Sequence, residues 1–186
     1  MTDRQSSIAK AALRVIRRYG VRRTTMEDVA QEAGISRQTL YAVFPGKDEV
    51  IRASIRQLCL QTRREVQAGA ATARSFEDRL DAIFLALAVH PRRMLEETPE
   101  AADLMADLSR FAADEADQSR ALYVDTIAAA LAPDAARLEA AGLCPRELAA
   151  FLQSTLAGFK HAAADIDDLK AQLAVLKRLI VKASGG

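Results

Sequence analysis

The stretch Thr24-Thr25-Met26-Glu27-Asp28-Val29-Ala30-Gln31-Glu32-Ala33-Gly34-Ile35-Ser36-Arg37-Gln38-Thr39-Leu40-Tyr41 decides the fold of this chain. Thr25 stands where a hydroxyl can cap a helix starting at Met26, and Asp28 three residues on approximates a capping box. Gly34 supplies the left-handed residue that ends this helix after Ala33. Ser36 then caps another helix, Arg37 to about Val43, which stops at Phe44-Pro45 because the residue before a proline avoids the helical region. Ala30 is small enough for a close crossing, Ile35 sits beneath the turn, and Val29, Ala33 and Leu40 complete the inner face. Two short helices joined by so tight a turn make a helix-turn-helix. On periodicity alone a plain helical hairpin carries the same pattern.

Upstream, Ile8, Ala12, Val15, Ile16 and Tyr19 make an apolar stripe on a helix from about Ser6 to Tyr19, with Gly20 expected to end it. Downstream, Gly46 opens a long helix in which Asp48 and Glu49 favour the positive N-terminal dipole, running to about Ala68 before Gly69. Ser75 with Asp78 begins the next, with Phe76, Leu80, Ile83, Phe84 and Leu87 on one side, and Pro91 precedes a short helix through Met94. A long helix is expected from Pro99 to Leu131, then a connector between Pro133 and Gly142. Pro145 starts the penultimate helix, and Asp165 or Asp167 starts the last. No strand pattern appears. The expected fold is all-α with about nine helices: a three-helix DNA-binding domain over residues 1–52 and a larger helical regulatory and dimerisation domain over residues 53–186.

Half of the 186 residues are hydrophobic and 27% are charged, so the chain can bury a core. Its net charge of +1 hides an asymmetry. Residues 1–64 carry 13 Lys/Arg against 6 Asp/Glu, net +7, and residues 65–186 carry 13 against 19, net −6. A basic N-terminal segment beside an acidic remainder is expected where only one of them faces a polyanion. A solvated charged face is the plainer reading. The longest apolar run, Ala82 to Val89, is far short of the roughly 20 residues a membrane span needs. Cys59 and Cys144 are too few for a disulfide framework, and the N-terminus has no secretory pattern, so a cytoplasmic location is expected.

Arg37, Gln38, Thr39 and Tyr41 are expected on the outer face of the second helix of the motif; Arg can give two parallel hydrogen bonds to guanine, Gln can pair with adenine, and a Thr methyl can touch thymine. Thr24 and Thr25 at one helix start, and Lys47 at another, are placed to meet phosphates. The run Ile35-Ser36-Arg37-Gln38-Thr39-Leu40-Tyr41-Ala42-Val43-Phe44-Pro45-Gly46-Lys47-Asp48-Glu49-Val50-Ile51 resembles the signature of the tetracycline-repressor (TetR) family. The resemblance extends upstream through Gly20, Thr24-Thr25, Asp28-Val29-Ala30 and Ala33-Gly34, covering roughly residues 8–52. It implies a bacterial cytoplasmic regulator, usually a repressor, that binds a palindromic operator as a dimer. It makes Tyr41 and Lys47 phosphate anchors, Thr39 a phosphate or base contact, and Arg37 and Gln38 the variable readers. Gly46 departs slightly from the family, where Ser or Asn is frequent.

The remaining two-thirds resembles the family only in architecture, which implies a dimer interface from the last two helices. Leu152, Thr155, Gly158, Phe159, Leu173 and Leu176 are its candidate residues, Gly158 allowing close helix approach. Phe84, Met94, Met105, Phe111, Tyr123 and Phe151 could line an apolar ligand pocket, or could equally be core. His90 and His161 lack partners at metal-ligand spacing, so no metal or other cofactor is expected. No glycine-rich phosphate loop or nucleophile elbow points to an enzyme. The expected partners are duplex DNA, a second copy of the chain and a small-molecule effector. A DNA-binding regulator governed by a partner protein, and an adaptor with a basic protein-binding face, are the alternatives.

Overall fold

The computed structural model describes residues 1–97 and 116–185. Among these residues every regular element is helical. They are α1 (Asp3–Arg23), α2 (Met26–Glu32), α3 (Arg37–Val43), α4 (Lys47–Thr72), α5 (Phe76–Phe84), a π-helical turn (Leu85–Val89), α6 (His90–Glu96), α7 (Ala116–Leu131), a 3-10 turn (Ala132–Asp134), α8 (Ala135–Ala140), α9 (Pro145–Ala162) and α10 (Ile166–Ala183). The chain forms two compact units, the first built on Met1–Leu60 and the second on Gln61–Met94 with Arg120–Gly186.

Local chemistry sets the helix starts. The Thr2, Thr25, Ser36, Ser75 and Asp165 side chains each accept a hydrogen bond from a first-turn backbone N–H, satisfying donors that an α-helix leaves unpaired. In the first unit, Ile8, Ala12, Met26, Val29, Ala30, Leu40, Phe44 and Val50 pack into one core, so α1 and α4 enclose the α2–α3 pair. Ile16, Val21 and Ile51 extend it, with Leu95 packed alongside. The buried Ser54 hydroxyl of α4 points at Val50 O (2.8 Å) and Ala9 O (3.2 Å), fastening α4 to α1.

The second unit's core gathers Phe76, Leu80, Ile83, Phe84, Ile127, Leu131, Leu138, Leu148, Leu152, Leu156, Leu169, Leu173, Leu176 and Ile180. Its charged ties are few and specific. Arg79 grips Asp134 through two bonds of 2.5 and 2.6 Å, and Lys177 meets Asp81 at 2.6 Å. The Arg137 guanidinium lies 4.8 Å from the Phe76 ring centroid, while its Nε donates to Ser184 O and holds the end of α10.

Three helix boundaries differ from the sequence expectation. Gly20 takes φ 78° and kinks α1, yet helix resumes to Arg23. Gly69 does not end α4, which continues to Thr72; a Cβ there would lie 2.7 Å from Ala82 Cβ, so the glycine lets α4 and α5 touch. Pro91 starts no new helix after a break, because the π turn joins α5 to α6 and Pro91 sits in the first turn of α6, where a missing N–H is harmless. Of the helix expected from Pro99 to Leu131, only the part in α7 lies within the described residues.

Candidate nucleic-acid interface

The turn between α2 and α3 is a Schellman motif: Gly34, at φ 67°, donates to Gln31 O at 3.1 Å, and Ile35 N donates to Ala30 O at 3.0 Å. A side chain with a Cβ is strained at that φ, so glycine is what permits the sharp reversal. Ser36 then starts α3: its Oγ accepts from Thr39 N at 3.1 Å and donates to Thr39 Oγ1 at 2.9 Å. Leu40 is fully buried and locks α3 onto α2, leaving the opposite face outward.

On that outer face Arg37, Gln38 and Tyr41 are exposed and Thr39 is half-buried. Tyr41 keeps 45% of its surface accessible. Arg37 Nη1 lies 3.4 Å from Glu27 Oε2 on α2, both side chains well exposed. Sequence reading gave Glu27 no role, although a helix-turn-helix brings the start of α2 beside the start of α3.

The anchoring candidates are placed unequally. Thr24 is buried (3% exposed), and its hydroxyl donates to Gly20 O at 2.7 Å, closing the end of α1. Its hydroxyl is thus engaged within the motif, and the phosphate contact expected at this helix start belongs to the backbone N–H groups and the dipole of α2. Thr25 is exposed, but its Oγ1 donates to Asp28 Oδ2 at 2.6 Å and accepts from Asp28 N at 3.1 Å, completing a capping box. That hydroxyl bond holds the Asp28 carboxyl below its ordinary range. Lys47 Nζ donates to Arg22 O at 2.9 Å, which brings the ammonium to the end of α1. Beneath the motif, Glu32 accepts from Arg14 Nε at 2.6 Å and lies 3.7 Å from Arg18, tying α2 to α1; Arg14 holds the Glu32 carboxyl low.

Of the six candidate pocket residues, the four that are described do not share one groove. Met105 and Phe111 lie outside the described residues. Phe84 is buried in the core and lines a groove with Leu85 and Leu173, whereas Phe151 is 55% exposed in another groove with Leu148 and Leu176. The two phenylalanines stand on different helices, α5 and α9, and line different grooves. Tyr123 packs on the core and Met94 is half-buried. Gln57 and Thr62 are buried polar side chains of α4 to which sequence reading gave no role.

The interface candidates divide likewise. Leu152, Leu173 and Leu176 are buried in the second unit's own core, and Leu176 also lines the groove beside Phe151 and Leu179. Phe159 packs partly against the same core, Thr155 is half-buried, and Gly158 is open to solvent, with nothing near its would-be Cβ. The exposed apolar side chains on these two helices are Phe151, Val175 (47%) and Leu179 (61%). They sit one position beside the buried stripe, a distinction that the apolar pattern alone does not make.

Comparison with known proteins bears on this geometry. Residues 8–54 match the family model described as bacterial regulatory proteins, tetR family. The HTH-type transcriptional regulator BetI of Agrobacterium fabrum is 34% identical over 80 residues, 43% of this chain and 39% of BetI. The HTH-type nicotine-responsive transcriptional repressor HdnoR of Paenarthrobacter nicotinovorans is 36% identical over 64 residues, 34% of this chain and 33% of HdnoR. The chain thus matches about two fifths or less of the length of these relatives. A TetR transcription regulator from Haloarcula marismortui has a similar fold over 99% of this chain and 97% of its own, with a TM-score of 0.68 at 16% identity.

Proposed function

We propose, from the premise that the N-terminal domain of this chain belongs to the TetR family of bacterial regulatory proteins, that the protein is a homodimeric, sequence-specific DNA-binding repressor in the cytoplasm, with no catalytic role. Residues 1–52 bind a palindromic operator, and residues 53–186 dimerise and take a small, largely apolar ligand that releases it. The observation that carries this reading is the outer face of α3, where Arg37, Gln38 and Tyr41 are exposed on a scaffold fixed by the buried Leu40, with the Lys47 ammonium held at the end of α1. Arg37 and Gln38 read base edges, while Tyr41, Lys47 and the Thr25 end of α2 meet phosphates; Thr39 serves either role.

Dimerisation follows from the outward face of α9 and α10. Phe151 and Gly158 lie one above the other on α9, and Val175 and Leu179 do so on α10, an apolar strip that a second copy covers. Two copies present two reading helices, which meet half-sites about 34–36 Å apart or a multiple of that.

Binding of duplex libraries to purified wild-type and variant protein tests the assignment. Lys47→Ala weakens binding to every duplex alike and flattens the dependence on salt. Arg37→Ala or Gln38→Ala changes the preferred sequence as well, at roughly 1–3 kcal/mol per lost base contact. Uniform loss on all sequences for both readers would overturn the base-reading role. Affinity for acidic protein with none for duplex would replace it with an adaptor.

A further inference from the structure

Within the second unit, a groove of about 370 Å³ runs between α10 and the segment formed by α5, the π turn and α6. That volume lies near the low end of the roughly 300–1,000 Å³ typical of small-molecule sites. Its apolar side is Phe84, Leu85, Val89 and Leu173, and its polar lining is Arg93, Lys170 and Lys177 with the single carboxylate Asp81. Two of these three cations face carboxylates, so the surplus positive charge of the groove sits on Arg93. Lys177 meets Asp81 at 2.6 Å, and Lys170 meets Asp167 of its own helix at 2.9 Å. Arg93 is exposed and forms no ion pair among the described residues.

The backbone gives a second, independent pointer. The π turn Leu85–Val89 interrupts the regular helix at the groove itself. Such turns are rare, occur mostly as single-turn bulges within α-helices, and are frequent at functional sites. Here the turn leaves Leu85 46% exposed on the groove wall while Ala86, Leu87 and Ala88 stay buried. A leucine held open beside a guanidinium that has no ion pair among the described residues is a pairing of apolar surface with an anion receptor.

We infer that this groove binds a free medium-chain monocarboxylate, its chain along Leu85, Val89 and Leu173 and its carboxylate on the Arg93 fork, with Lys170 and Lys177 adding charge. A guanidinium presents two parallel N–H donors that match a carboxylate. One such fork above a narrow apolar trough suits a single-charge head on an unbranched chain. Phe84, a pocket candidate from the sequence, lies on this groove, so the inference rests on the small-ligand reading of residues 53–186; binding is measured without DNA, so its failure leaves the operator reading standing.

Calorimetric titration of the full chain with decanoate, decanol and decyltrimethylammonium, each below its micelle concentration, tests it. Decanoate binds once per chain, and about tenfold more tightly than decanol, since a charge-assisted bond is lost in the alcohol. Arg93→Gln, at an exposed position, costs decanoate about tenfold and leaves decanol unchanged. Ala174→Trp, from an exposed position of α10 on the groove wall, abolishes binding of both. The inference falls if decyltrimethylammonium binds as well as decanoate, or if Arg93→Gln has no effect. It also falls if a folded Ala174→Trp protein still binds, or if that variant dissociates an oligomer in sedimentation, which would make the groove a contact between copies.

Discussion

Arg37 and Glu27 face each other across the start of the motif, and their 3.4 Å separation holds the guanidinium proposed to read bases beside a carboxylate. An exposed pair of this kind adds little stability, but it controls where the guanidinium goes. The carboxylate also repels phosphate, so Arg37 gains most when a base edge replaces it. Glu27→Gln is therefore expected to raise affinity for random duplex by about threefold while narrowing the ratio of operator to random binding. Competition between the two duplexes, read at two salt concentrations, checks this; an unchanged ratio would remove Glu27 from the specificity account. Thr24 and Thr25 show why adjacent identical residues need not share a role. One closes α1 from a buried position, and the other opens α2 from an exposed one.

Helices in this protein are joined by contacts that depend on missing side-chain atoms as much as on present ones. At Gly69 a methyl group would meet Ala82 Cβ at 2.7 Å, closer than such carbons approach. Alanine has the better helix propensity, by up to about 1 kcal/mol. The clash outweighs that gain, because α4 and α5 must separate in a packed unit and overpacking costs typically 1–3 kcal/mol. Gly69→Ala is thus expected to lower the urea midpoint, and the exchange Gly69→Ala with Ala82→Gly is expected to restore most of the loss. A midpoint raised by Gly69→Ala alone would show that the two helices separate freely. The Arg14–Glu32–Arg18 cluster acts on the same scale in the first unit, because it fixes α2 to α1 and so sets the angle at which α3 is presented.

For the whole molecule, assembly and acid response follow from where the charged and apolar residues ended up. Leu179 is 61% exposed, so Leu179→Asp leaves the core intact and places a charge on the proposed contact between copies. Sedimentation should then shift from dimer towards monomer with the helical circular dichroism unchanged; an unaltered profile would move the contact elsewhere. The acid response rests on four carboxyls held below their ordinary range in the folded state. Asp28 is held by the Thr25 hydroxyl, Asp78 chiefly by Arg74 N–H, Asp165 by the Asp168 and Asp167 N–H groups, and Glu32 by Arg14. A carboxyl whose folded value is depressed contributes stability that is complete above its unfolded value and lost as pH falls through the folded one. Thermal midpoints should therefore hold from neutrality down to about pH 4 and decline below it. Equal midpoints at pH 6 and pH 3 would contradict this.

Short-range chemistry was legible in the sequence. Thr25 with Asp28, Ser36, Ser75, Asp165, Gly34 and Phe44-Pro45 mark helix ends because caps, left-handed turns and proline clashes act over a few residues of chain. The outward face of α3 followed once Leu40 was assigned inward. The kink at Gly20 and the passage of α4 through Gly69 were not legible, since a glycine reads as a helix end unless another helix requires the space. The direction of each apolar residue on α9 and α10 also escaped the pattern. Leu152 and Phe151 are neighbours of equal hydrophobicity, and only packing against Leu169 and its neighbours turns one inward and leaves the other bare. Sequence determined the elements and the reading motif through local forces. Tertiary structure alone decided which apolar and charged side chains remained available to a partner, because availability depends on what the rest of the chain has already covered.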